Sequence, residues 1–173
     1  MYPNEYIQFL AHFHGDRDYF ECHEILEEYW KKNDSRNKNS IWVGLILLAV
    51  STYHHRRENF NGAKRTLEKA IKIFKTQSDL VIKLGINFPL LQDLLKERLS
   101  IITNQQRYSS FNLPIGDLAL LELCKRYCEQ NGVVWGMDSD VADDHLVHRH
   151  VLRDRTSVME ERNQALRLRK GND

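Results

Sequence analysis

The residues best equipped for chemistry crowd into one short stretch, His23-Glu24-Ile25-Leu26-Glu27-Glu28-Tyr29-Trp30. An imidazole with carboxylates one and four positions further on can exchange a proton, orient a neighbour or hold a divalent ion. The pattern is not the His-Glu-x-x-His of zinc proteases, because Glu27 stands where the second histidine belongs. A divalent metal would therefore take His23 and Glu27 and need a third ligand from another helix, for which His54 or His55 is the candidate. Paired-metal sites in helical bundles need about four inward carboxylates and two histidines. The nearest further acids, Glu68 and Asp93, read as surface residues, which weighs against such a site. Acid–base catalysis by a cluster of His23, Glu24, Glu27 and His54 is the other chemical option. No glycine-rich phosphate loop, dinucleotide fingerprint or nucleophile elbow accompanies these residues.

The elements that must position them are helices. The chain has 173 residues with only three prolines and eight glycines, and no stretch alternates at period two between hairpin turns. The spacing predicts an all-α protein, a compact irregular bundle of about six helices with a charged C-terminal helical segment. Helices are expected near residues 3–14, 19–32, 41–57, 60–75, 89–105 and 116–130. Asp18 and Glu21 form a candidate capping box for the second helix, and 33–40 is polar loop. The third helix is apolar on every side up to Val50, which places it at the centre of the bundle. Residues 1–132 are expected to form the bundle domain. Residues 133–173 are expected to form an irregular linker, then a charged helix near 154–169 that packs weakly or on a partner chain.

Stepping about 100° per residue along the second helix puts His23 beside Trp30 inside the apolar stripe. Glu27 falls on the stripe's edge, Glu24 further out, and Glu21 and Glu28 opposite, in solvent. The simplest reading is a structural His23–Glu27 pair that locks two helices together, with a cost of about 1–3 kcal/mol when either partner is removed.

The run from Phe20 to Trp30 resembles the signature of the family known as domain of unknown function 309. A second segment, Gly44-Leu45-Ile46 followed by Tyr53-His54, Asn59 and Gly62-Ala63, resembles that family's second signature. The matching stretch spans roughly residues 13–75. Arg153-Asp154-Arg155 resembles the tail of its longer, firmicute-type members. The resemblance implies an all-helical fold and no established activity. It also implies glutamines on either side of Gly44-Leu45-Ile46, where this chain has Val43 and Leu47. Val43, Leu47, Val50 and His54 share one stripe of the third helix, and only His54 is polar.

The remaining features point away from other classes. A net charge of +1, from 25 basic and 24 acidic residues, demands neither nucleic acid nor an anionic membrane. The longest apolar run, residues 41–50, is far shorter than the ~20 residues that span a bilayer. The start of the chain carries no signal-peptide pattern, and Cys22, Cys124 and Cys128 show no disulfide spacing, so a cytoplasmic location is expected. Cys124 and Cys128 read as small buried residues, and Trp42 and Trp135 as packing anchors. His145, His148, Arg149 and His150 read as a solvated charged face. The arginine-rich tail offers a weak nucleic-acid alternative that its interspersed acids disfavour. The function that fits best is a non-enzymatic helical scaffold or protein-interaction module, possible partners including a second copy. No cofactor is expected. The signature polar cluster is His23, Glu24, Glu27, Trp30, Tyr53 and His54, and the competing reading is a metal-dependent or acid–base enzyme built on it.

Overall fold

The computed structural model describes residues 1–149, 164 and 167. Eight helices occur among them: α1 Asn4–His14, α2 Tyr19–Asn33, α3 Ile41–Arg56, α4 Phe60–Thr76, α5 Ser78–Lys83, α6 Phe88–Thr103, α7 Leu118–Gln130 and α8 Asp144–Val147. The fold is all-α, as the sequence predicts. The two helices beyond the predicted six are the short α5 and α8, too brief to show a periodic apolar face. The helix expected near 154–169 lies outside the described residues except at Gln164 and Arg167. Among the described residues no helix is long and apolar enough to cross a membrane.

Side chains start most of the helices. Asp18 accepts from the Glu21 amide at 3.1 Å, Asn59 from Gly62 at 3.2 Å and Asn87 from Leu90 at 3.1 Å. Ser40 and Asp117 cap α3 and α7 in the same way, each satisfying an amide that the helix leaves without a partner.

The long helices form a row in which α7 packs on α1, α1 on α2, α2 on α3, α3 on α4 and α4 on α6. The segments that lead into α6 and α7 come together. Tyr6 Oη donates to the Leu84 carbonyl at 2.8 Å, and Ile86 pairs with Ile115. The core inside is Phe9, Leu10 and Phe13 of α1, Leu26 of α2, Leu45 and Leu48 of α3, and Leu67 and Phe74 of α4, all essentially water-free. Gly44 lets α3 and α4 close together, because a β-carbon there would meet Phe74 and Ile73 at 2.9 and 3.0 Å.

The centrality expected of α3 needs one correction. Its Val43, Leu47, Val50 and His54 stripe is only half-buried. Among the described residues α2 and α4 pack on the other sides of α3, so an all-round apolar composition does not mean all-round burial.

Candidate functional site

The open side of α3 meets α2 in a shallow cleft of about 190 Å³, lined by Tyr19, Phe20, His23, Val50, Tyr53, His54 and Arg57. Helix α2 supplies Tyr19, Phe20 and His23 at one-turn spacing, and α3 supplies Val50, Tyr53 and His54. The walls are aromatic, with the Phe20 ring 5.6 Å from His23 and 5.7 Å from Tyr53. Arg57 lies over the Tyr53 ring at 5.5 Å.

His23, Glu27 and Lys31 form a ladder up α2. His23 Nε2 is 2.8 Å from Glu27, whose other oxygen is 2.8 Å from Lys31 Nζ. Glu24 stands 3.9 Å from His23 Nδ1. The hydrogen bond from His23, helped by Lys31, holds the Glu27 carboxyl down at about 2 against the pull of burial. Its stabilising contribution is full above the ordinary carboxylate value of 4.5 and fades as pH falls toward 2.

This geometry corrects the expectation of a pair locking two helices. Among the described residues the ion-pair partners of His23 and Glu27 lie on α2, and the His23 and Glu27 side chains are 26% and 32% exposed. An i, i+4 contact within one helix at a partly exposed edge is worth little. His23→Ala and Glu27→Gln are therefore expected to lower stability by less than about 1 kcal/mol, read from denaturant midpoints. A larger loss would return the pair to a structural role. Glu21 is corrected too. It is not free in solvent but lies 3.7 Å from Arg149, which also pairs with Asp18.

The second signature is a helix corner. Asn59 caps α4 through Oδ1 while its Nδ2 donates to His54 Nδ1 at 3.2 Å. A β-carbon on Gly62 would strike the Asn59 side chain at 2.8 Å, so cap and glycine belong together. Ser51 closes the same corner by donating to the Ala63 carbonyl at 2.7 Å. Burial, then the charges of Arg57 and Arg65, lower the His54 pKa, so His54 is neutral near pH 7. Trp30 donates to the Asn37 carbonyl at 3.1 Å and pins the 33–40 loop.

His54 therefore shares the cleft with His23 but does not join it and Glu27 as a third ligand. Its Nδ1 is taken by Asn59, and Glu27 is taken by Lys31. Among the described residues no three His, Cys, Asp or Glu side chains group to hold a metal ion. The cleft members not expected to belong to a site are Tyr19, Phe20, Val50 and Arg57. Their signal was present in part, because Phe20 lies one turn before His23 and Arg57 one turn after Tyr53.

The His-Glu-x-x-Glu-x-x-Trp helix and the Gly-Leu-Ile helix packed beside it lie within a stretch that matches a known family. The model of the family Domain of unknown function (DUF309) matches residues 6–66, and the chain belongs to that family. It is 43% identical over 170 residues to the "Uncharacterized protein YpuF" of Bacillus subtilis (strain 168), an alignment covering 98% of each chain. No solved structure matches it.

Proposed function

We propose that the protein is a non-enzymatic helical interaction module whose binding face is the α2–α3 cleft and the half-open stripe that extends it. The observation that carries this reading is the run of half-buried apolar side chains Val43, Leu47 and Val50 along α3, which meets Phe20, Tyr53 and Arg57 in the cleft. Apolar strips with charged rims are typical of macromolecular docking surfaces. The cleft is smaller than the roughly 300–1,000 Å³ of ordinary small-molecule pockets. Its histidines are engaged by Glu27 and Asn59, and among the described residues no serine, threonine or cysteine lines it. Such a long shallow strip suits an amphipathic helix. The three buried, unpaired cysteine thiols support a reducing, cytoplasmic setting.

A photo-crosslinking residue at position 47, introduced into the full-length protein in its native cells, tests this reading. A discrete adduct to one protein is expected, absent when the probe sits at the exposed Lys69 of α4. Equal adducts at both positions, or near-stoichiometric metal at His23 that Glu27→Gln removes, would sink it.

A further inference from the structure

Among the described residues, the large apolar side chains that stay exposed gather at the two ends of the bundle. We propose that these ends are complementary docking surfaces for a second copy of the chain, the acidic end of one copy seating on the basic end of the next. The side chains concerned share no residue with the α2–α3 cleft, and the contact does not depend on it.

One end holds the close of α1, the start of α2 and the segment after α7. The Gly136 amide donates to the His14 carbonyl at 2.7 Å, and the Ser139 amide to Ser110 Oγ at 2.8 Å. Arg17 holds the Met137 carbonyl at 2.7 Å. This fixed backbone presents Val134, Met137 and Val141, each more than half exposed. Asp138, Asp140 and Asp143 stand exposed among them, and residues 133–144 hold no lysine or arginine. The exposed Arg107 of this end is already paired with Glu58 at 3.6 Å.

Helix α1 runs from there back to the opposite end, which holds the 33–40 loop, α5 and the starts of α6 and α7. Gln77 donates to the Asn39 carbonyl, the Gly116 amide to the Gly85 carbonyl at 2.8 Å and the Asn87 amide to the Pro114 carbonyl at 2.9 Å. Leu80, Ile82, Leu90 and Leu118 lie here, from 40% to 75% exposed. Ile82 shares a surface hollow with Gly116 and Asp117, next to Leu118. Arg36, Lys38, Lys72, Lys75 and Lys83 are exposed at this end and outnumber the exposed acids Glu28 and Asp79.

Each charged set therefore surrounds aliphatic side chains left in water, and the two sets are opposite in sign. Every copy carries both, so one contact covers the acidic end of one molecule and the basic end of the next. Such a heterologous contact repeats in one direction, giving chains or rings and not a capped dimer. A net charge of +1 leaves little repulsion between copies. The preset backbone around Met137 limits the ordering cost of the contact.

Sedimentation velocity of the purified full-length chain tests the proposal. Mass is expected to rise with concentration past the dimer. Self-association should weaken about tenfold in about 1 M salt, where the screening length is about 3 Å. Met137→Ser with Val141→Ser strips the acidic end, and Ile82→Ser with Leu118→Ser strips the basic end. Each double variant should weaken self-association about a hundredfold. Mixing the two variants leaves one intact contact per pair, so a heterodimer that grows no further is expected. A chain that stays monomeric at every concentration overturns the proposal. Association of the unaltered chain that stops at the dimer, or that ignores salt, overturns it too, as does a mixture that fails to recover the dimer. All four replaced side chains are exposed, and the behaviour of the unaltered chain keeps the test decisive should a variant fold poorly.

Discussion

Replacing Arg17 with alanine is expected to cost about 3–5 kcal/mol, the range for uncovering a buried hydrogen-bonded charge site. That is a large share of the stability of a domain this size. Arg17 is 2% exposed and reaches four separate acceptors. Its guanidinium donates to the carbonyls of Met137 at 2.7 Å, Phe111 at 2.6 Å and Phe13 at 3.1 Å, and to Asn112 Oδ1 at 2.9 Å. One side chain thus ties the α1–α2 turn to the loop before α7 and the segment after it. It also holds its own backbone at a φ of +57°, a left-handed conformation that costs a non-glycine residue roughly 1 kcal/mol. Arg56 reinforces the joint by donating to the Arg17 carbonyl at 2.7 Å and to Ser139 Oγ at 2.9 Å. Its guanidinium lies 4.6 Å over the Tyr19 ring. The check is a denaturant titration of Arg17→Ala and Arg17→Lys. Lysine should recover only a minor part of the loss, because a single ammonium cannot span acceptors set in several directions. A loss below about 1 kcal/mol for the alanine variant would contradict this role.

Acidification is expected to remove about 3 kcal/mol through His14 alone, as pH falls from the ordinary histidine value of 6.5 to about 4. His14 is buried and stacked on Trp135 at 4.6 Å. Its Nδ1 donates to the Leu10 carbonyl at 2.7 Å, and its Nε2 accepts from the Leu113 amide at 2.9 Å. Protonating Nε2 would set two donors against each other, so the ring is held neutral. Burial is the largest cause, and the charge of Arg17 adds to it. Because the folded pKa is depressed, the unfolded chain binds the extra proton first. Stability is therefore full above 6.5 and falls as pH descends through the window. His55 works in the same direction. It donates to the Gln106 carbonyl at 2.8 Å and accepts from Arg98 at 3.1 Å, and burial lowers its pKa. Unfolding free energies measured across this window should show the slope, and His14→Gln should flatten it. A flat wild-type profile would mean that neither ring is held neutral by its neighbours.

The helices were legible in the sequence because their signals are local. Capping at Asp18 and the breaks at Gly15 and in 33–40 need only residues a few positions apart. Helical spacing likewise brought His23 and Glu27 together, since an i, i+4 pair is made by one helix. The tertiary structure decided what surrounds that pair. The wheel could say that His23 borders an apolar stripe, but not whether a neighbouring helix covers that border. Here α3 meets it in a shallow cleft. Equally, Val43 and Leu47 looked like core and lie half-open, because coverage depends on where α2 and α4 pack. The buried arginines Arg17, Arg56 and Arg98 were invisible for the same reason. A guanidinium is expected in water until the fold gathers carbonyls and aromatic faces around it, and those come from segments as much as 120 residues away. The sequence by itself determined the fold class, the helix ends and the His23–Glu27 contact. Only the packing of those helices decided which charges are buried and which apolar side chains stay half-exposed, because burial is a property of distant neighbours and not of spacing along the chain.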